Sequence, residues 1–330
     1  MIFISFGFIF NRAKMRAYRK AALMEALTAR RDEDDDEEED VATEEDYACK
    51  MARFSSSKEN QELAQRFVQL DRDDETEAFI ANCRSWSGSS GALWKDFMSC
   101  CLRSCCSLTT TNALLRIGSM HVLSSQHIRT LLADEARGRL LDVGAGDGNV
   151  TMKYRPFFQE IITTEVNGAM AKRLRERGFP CVQTPEVTRE ALAAGLQLKS
   201  YSGDQLTFDV VSCLNVLDRC PAPKTLLRQI RDILRPETGV LLLAVVLPFC
   251  PFVESGPAWS QVEPDEVLPV YSSRWENAVQ DLVHKVFTPL GFRVKSFSRV
   301  PYLCCGMAPN QPVLQLDDAI FVLTPNTDAP

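Results

Sequence analysis

The chain has 330 residues, enough for one large domain or two small ones, and its 45% hydrophobic and 25% charged content is that of an ordinary folded protein. The formal net charge of −7 is carried by one run of nine consecutive carboxylates at residues 32–40, and the rest of the chain is near neutral and slightly basic. No basic stripe with interleaved aromatics is present, so nucleic acid is not the expected partner.

In chain order, residues 1–10 are mostly apolar and are followed by Arg12, Lys14, Arg16, Arg19 and Lys20. Ten residues are too few to cross a bilayer as a helix, which needs about 20. No charged region precedes them and no small-residue cleavage site follows, so the segment does not read as a secretory signal. The first acid is Glu25, which leaves a mitochondrial presequence and a spurious upstream start both open. Proximity to a membrane through this end also stays open, as does the compartment: cytosol, endoplasmic reticulum or mitochondrion. Like-charge runs repel themselves and stay solvated, so residues 1–55 are expected to be a disordered leader.

Residues 56–135 carry helical periodicity, with Leu63, Phe67 and Leu70, then Phe79 and Ile80, then Trp94, Phe97, Met98 and Leu102. A helical lead-in packed on the main domain is expected here. Twelve cysteines are present without any Cys-x-x-Cys pair, and the three histidines, His121, His127 and His284, lie far apart. These spacings predict no metal site, and the histidines read as core or surface residues. Cys213, Cys220 and Cys250 read as small buried hydrophobes. The cluster Cys100, Cys101, Cys105 and Cys106 reads either as a helix face packed on the core or as a reactive or lipidated group.

From Arg139 the pattern changes to alternating strands and helices. Strands are predicted at 139–143, 160–166, 180–183, 208–214, 239–247, 292–300 and 318–323, and helices at 149–158, 167–177, 223–234 and 274–290. Continuous apolar strands joined by helical crossovers predict an α/β domain over 136–326, a mostly parallel seven-stranded sheet with helices on both faces. The last two strands lack a helix between them, which leaves antiparallel pairing open at one edge.

Leu140-Leu141-Asp142-Val143-Gly144-Ala145-Gly146-Asp147-Gly148 places a glycine cluster at the carboxyl end of the first of these strands, where open α/β sheets bind ligands. Glu165 ends the next strand, about 20 residues on, as expected of an acid that accepts ribose hydroxyls. A dinucleotide site has Gly-x-Gly-x-x-Gly with pyrophosphate on the helix N-terminus. Here the third glycine comes one position early, and Asp142 and Asp147 flank the loop. Acids so placed repel a pyrophosphate and suit the cationic amino group of S-adenosylmethionine. The loop therefore points to a methyltransferase over a nicotinamide oxidoreductase.

Further segments make the match more specific: residues 208–220, which contain Asn215-Val216-Leu217-Asp218; residues 244–254; Arg299-Val300-Pro301-Tyr302-Leu303-Cys304; Asp317-Asp318-Ala319-Ile320-Phe321-Val322-Leu323; and Arg116-Ile117-Gly118-Ser119-Met120. Together they resemble the DREV family (methyltransferase-like protein nine), which are protein histidine methyltransferases, from residue 56 to residue 324. The resemblance implies a class I, Rossmann-like methyltransferase fold. It implies transfer of methyl from S-adenosylmethionine to the pros nitrogen of histidine in His-x-His motifs of other proteins, where x is small. It also implies Asp142, Gly144, Gly146, Glu165 and Asn215 at the cofactor, and Asn215, Asp218 and Tyr302 at the histidine pocket. The leader and the residues between Gly306 and Leu316 depart from the family pattern.

Methyl transfer from a sulfonium is an in-line displacement, promoted by orientation and by stabilising charge as it moves. Imidazole, with a pKa of about 6.5, is mostly neutral at pH 7, so no strong base is required. What must be chosen is the nitrogen. A carboxylate that accepts the tele proton frees the pros lone pair, and Asp218 is the expected carboxylate, with Tyr302 bonding or packing on the substrate ring. Plainer readings stand beside these: Asp218 as the cap of the helix near Pro221 and Pro223, Asn215 as a partner of strand-end backbone, and Tyr302 as loop packing. The rival functions are a methyltransferase for a small molecule or another side chain, and a cofactor-binding module without chemistry.

Overall fold

Apolar residues along the central strands alternate between two faces, and both faces are covered. Leu141, Val211, Leu241 and Leu243 pack into one buried cluster, while their neighbours Leu140, Val210, Val240 and Leu242 pack into a second. Successive strand residues point to opposite sides, so a continuous apolar run is what a doubly covered sheet requires. The computed structural model describes residues 41–54, 57–103, 105–132, 138–200, 206–254, 261–306 and 310–326. The apolar segment 1–10 and the acidic run 32–40 lie outside the described residues.

The strands are β1 (Met120–His121), β2 (Arg139–Val143), β3 (Glu160–Thr164), β4 (Cys181–Val182), β5 (Val210–Leu214), β6 (Val240–Leu247), β7 (Val253–Glu254), β8 (Gln261–Val262), β9 (Phe292–Cys305) and β10 (Val313–Pro325). Strands β7 and β8 form a small pair of their own; the others make one sheet in the order β1-β9-β10-β6-β5-β2-β3-β4. From β4 to β6 the strands are parallel. Strand β10 runs antiparallel between β6 and β9, and β1 closes the edge antiparallel to β9. The chain order reverses between β2 and β5, which opens a crevice at their carboxyl ends.

The expected α/β class is therefore the one found, with eight strands in place of seven. The added strand is β1, two residues of the lead-in, too short to leave a period in the sequence. The closing strands β9 and β10 are longer than predicted because they are paired along nearly their whole length, from Val313 with Cys305 to Pro325 with Phe292.

The helices are α1 (Glu44–Tyr47), α2 (Lys58–Ala64), α3 (Asp74–Trp86), α4 (Ser90–Leu102), α5 (Leu108–Leu115), α6 (Ser125–Leu132), α7 (Asn149–Tyr154), α8 (Gly168–Glu176), α9 (Arg189–Gly195), α10 (Pro223–Ile233) and α11 (Trp275–Asp281). Side-chain caps start the lead-in helices: Ser57, Asp73, Ser89 and Ser107 accept from the backbone N–H three residues on, each worth about 1 kcal/mol. Helix α7 stops before Pro156, short of the predicted residue 158, since proline has no N–H to continue the helical hydrogen bonding. The helix predicted at 274–290 is helical throughout but changes winding, from α11 to a π turn (Leu282–Phe287) and a 3-10 turn (Thr288–Leu290). The Ala-rich α9 was not expected.

The compact unit spans Val41–Pro330, so it starts before the boundary expected at residue 55. Ala42, Tyr47 and Phe54 are buried, and Ala42 N–H donates to Gln315 Oε1 at 2.9 Å. Farther along, Val68 N–H donates to the Phe297 carbonyl at 2.8 Å, which fastens the lead-in to β9. His121 and His127 are buried and His284 bonds Asn60 at its ring. The expectation for Cys250 fails, and so does the core-packed one of the two readings of the Cys100–Cys106 cluster. Cys250 is exposed, in a loop held between Pro248 and Pro251, and Cys100, Cys101 and Cys105 are exposed and not packed on the core.

Candidate active site

The glycine loop leaves β2 in a conformation that side chains resist. Gly144 and Gly146 have φ of 65° and 58°, in the left-handed region that favours glycine. A Cβ on Gly144 would stand 2.5 Å from Val216 Cγ2, whereas one on Gly146 would meet nothing within 4 Å. Gly144 thus lets two loops close on each other, and Gly146 bares its backbone to the crevice. The loop is held from below: Ala145 N–H donates to the Thr164 carbonyl at 3.0 Å, and Gly146 N–H donates to Glu165 Oε2 at 2.9 Å.

The structure brings Asp142, Gly144, Gly146, Asn215 and Tyr302 together around this crevice, with Met120, Val122, Asn149 and Leu214 completing its wall. Glu165 does not line it. Its carboxylate lies under the loop, with Oε1 accepting from Asn167 N–H at 2.8 Å, and burial raises its pKa against these backbone bonds. Asp142 is buried and accepts from Thr151 Oγ1 at 2.6 Å; burial pushes it up to about 6. Asp147 also lines the crevice and is compensated by Arg173 at 3.4 Å, Arg177 at 3.8 Å and the Asn149 amide at 2.6 Å. The acids expected to face a cationic ligand therefore differ: Asp147 already has its cations, and Asp142 has none. A cationic amino group fits beside Asp142, and a ligand laid along Gly146 meets no side chain there.

At the carboxyl end of β5, Asn215 adopts a left-handed φ of 56°, which Asn tolerates better than most side chains. Its backbone N–H donates to the Ala244 carbonyl at 3.0 Å, and its side-chain Nδ2 donates to Asp318 Oδ2 at 2.8 Å. Asp318 lies in β10, 0% exposed, and was not among the expected site residues. Asp218 is also buried, behind the crevice wall, with Oδ2 at 2.6 Å from Arg219 Nη1; Arg219 in turn lies over the Phe252 ring at 3.9 Å. Asp218 does not cap the next helix: the N-cap of α10 is Ala222, without a side-chain bond.

Among the described residues, Asn215 Oδ1, Asp218 Oδ1 and Asp318 Oδ1 are all buried without a hydrogen-bond partner. Leaving one such group unsatisfied costs about 1–3 kcal/mol. Burial pushes Asp218 up to about 6, with the Arg219 guanidinium opposing it. Burial raises Asp318 well above the usual carboxylate range, the Asn215 amide lowers it and the Asp218 charge raises it further. Of the two buried carboxyls, Asp218 is the one with a guanidinium in contact, Arg219. Tyr302 stands over this group from β9, its hydroxyl against Met120 Sδ, its pKa raised by burial, by Cys304 and by both carboxylates. No group of side chains among the described residues could hold a metal ion.

A family model described as DREV methyltransferase matches residues 54–325. Among solved structures, the N-methyltransferase NodS from Bradyrhizobium japonicum WM9, in complex with S-adenosyl-L-homocysteine, is 16% identical, with 62% of this chain and 85% of that chain covered and a TM-score of 0.37. A DhpI–SAH complex is 16% identical over 76% of this chain and 97% of that one, with a TM-score of 0.38. An S-adenosylmethionine-dependent methyltransferase from Clostridium acetobutylicum ATCC 824 is 12% identical over 61% and 90%, with a TM-score of 0.36.

Proposed function

From the premise that this chain belongs to the DREV methyltransferase family, we propose that it methylates the pros nitrogen of a protein histidine within a His-x-His motif. The chain is an S-adenosylmethionine-dependent methyltransferase. Bound S-adenosylmethionine supplies an electrophilic methyl group on a sulfonium, which leaves as the thioether. The observation that carries the histidine reading is the group of three buried, unpartnered oxygens on Asn215, Asp218 and Asp318 beside the crevice. Such a group calls for a ligand that brings N–H donors, and an imidazole does.

Asp142 would hold the amino group of the cofactor, Gly144 and Gly146 would let its body lie against the backbone, and Glu165 fixes the loop. Asp218 accepts the tele N–H, which leaves the pros lone pair as the nucleophile. As the pros N–C bond forms the ring becomes cationic, and Asp218 stabilises it and then takes the tele proton. Its pKa of about 6 lies close to that of imidazole, about 6.5, so the proton moves with little driving force lost. Asp318 acts through Asn215 as a positioning residue: by accepting Nδ2 it turns Oδ1 of the amide outward. Tyr302 packs on the substrate ring.

The test uses radiolabelled S-adenosylmethionine and two peptides, one with a His-Ala-His core and one with both histidines replaced by alanine. Label in the first alone supports the reading. Label in neither, with cofactor binding intact by calorimetry, assigns the chain another acceptor or a binding role without chemistry.

A further inference from the structure

Helix α4 is folded with its large apolar residues outward. Ala92 and Ser99 are buried, while Leu93, Trp94 and Phe97 are 58%, 62% and 59% exposed. Cys100 and Cys101 are exposed as well. At 3.6 residues per turn, positions 93, 94, 97, 100 and 101 fall within an arc of about 120°, so they make one continuous stripe, with the Trp94 and Phe97 rings 5.9 Å apart. The next helix repeats the inversion: α5 buries Thr111 and Ala113 and exposes Leu108 and Leu114. Ser99 Oγ and Thr111 Oγ1 are buried without partners. A helix pair that buries alanine and hydroxyls while facing leucine, tryptophan and phenylalanine to water gives up the main stabilisation available to it, and apolar patches of this kind mark interaction surfaces.

Charge indicates what covers the stripe. In a chain of net charge −7, residues 87–118 carry Lys95, Arg103 and Arg116 against the single acid Asp96. Arg116 also lines a depression with Arg173, Arg177 and Glu176. An exposed Trp, Phe and Leu face with Arg103 at the carboxyl end of α4 and Arg116 at that of α5 is the make-up of a helix that lies in a lipid headgroup layer, while Lys95, on the far side of α4, lies over the Trp86 ring. No helix among the described residues is long and apolar enough to cross a membrane, which agrees with a helix that rests on the surface. We infer that α4 and α5 form a lipid-docking face for an anionic bilayer surface.

The face is joined to the catalytic crevice. Thr110 of α5 accepts from the Asn167 amide at 2.8 Å, and Asn167 N–H donates to Glu165. Docking therefore holds the loop that carries Glu165 at a set depth relative to the bilayer. The inference does not depend on which side chain is methylated.

The experiment is co-flotation of the full chain with vesicles of phosphatidylcholine alone or mixed with phosphatidylserine, beside the double variant Trp94→Glu, Phe97→Glu. Both residues are exposed, and the variant's fold is checked by its melting temperature and by binding of S-adenosylhomocysteine. The expected result is flotation with the mixed vesicles, weaker flotation with neutral ones, and a loss of about ten-fold or more in the variant. Absence of flotation overturns the inference. So does equal flotation of the variant, which would place lipid binding elsewhere in the chain. Sedimentation without vesicles supplies the third arm: a concentration-dependent dimer that the variant abolishes would show a second copy as the occupant and overturn the lipid assignment.

Discussion

The two ends of the crevice are built on opposite plans. At the end proposed to hold the cofactor every carboxylate has a partner within the chain: Glu165 takes two backbone N–H groups, Asp142 takes Thr151, and Asp147 takes two arginines. At the acceptor end Asn215, Asp218 and Asp318 each keep a buried oxygen without one. The first end is a preformed cradle whose geometry the chain pays for by itself. The second has buried oxygens without donors, and in the proposed reaction the substrate brings them. Pre-organisation at one end and deliberate under-satisfaction at the other is what a reaction with a fixed donor and a selected acceptor requires.

The contrast can be broken by substitution, and the largest effect is expected at Asp218. Asp218→Asn should lower histidine methylation by about 10²–10⁴-fold, the range for loss of a proton acceptor, with cofactor affinity by calorimetry unchanged. The same variant should be more stable at neutral pH. Because burial raises the folded pKa of Asp218, the carboxyl's stabilising share is complete below the unfolded value of about 4 and is lost as pH rises through about 6. Replacing the acid removes that loss. Arg219 is left without its partner, so the net gain is on the order of 1 kcal/mol, read as a higher melting temperature. A variant that is both less stable and fully active would erase the distinction between the ends.

Next come the glycines. Gly144→Ala adds a clash with Val216 to an unfavourable φ and should cost about 2–3 kcal/mol in urea unfolding. Gly146→Ala meets no neighbour, so it should cost about 1 kcal/mol while weakening cofactor binding by about ten-fold or more. A pH profile sharpens the comparison further: at saturating cofactor, transfer should fall as pH drops through about 6, when Asp218 and the substrate imidazole both take protons. The smallest effect is expected at Asp318. Asp318→Asn should reduce kcat by about ten-fold or less, with the KM for S-adenosylmethionine unmoved and the acidic limb of the pH profile retained, since that limb belongs to Asp218. Equal losses in KM and kcat would assign Asp318 to the fold alone.

The cofactor end was legible in the sequence because its parts are local. Asp142, Gly144, Gly146 and Glu165 lie on one strand-loop-helix-strand unit, and their spacing was enough to single them out; the first three line the crevice, while Glu165 lies under the loop. Asn215 and Asp218, at the end of one strand, were singled out through the family resemblance. Asp318 reaches Asn215 only through the antiparallel pairing of β10 with β6; its one signal was an acid inside an apolar strand. Strand β1 was too short to show a period. Helix α4 illustrates a different gap: its apolar spacing was read as a core face, but a period defines a stripe without saying which side of the helix meets the sheet. The buried side proved to be Ala92 and Ser99.

The measurement that tests the account most directly is the identity of the methylated nitrogen. A His-Ala-His peptide with ring-labelled histidine, methylated to completion and examined by nitrogen-correlated NMR, should show the methyl protons coupled to the pros nitrogen alone. Methyl on the tele nitrogen would contradict the account, because the tele N–H is the group that Asp218 is placed to accept.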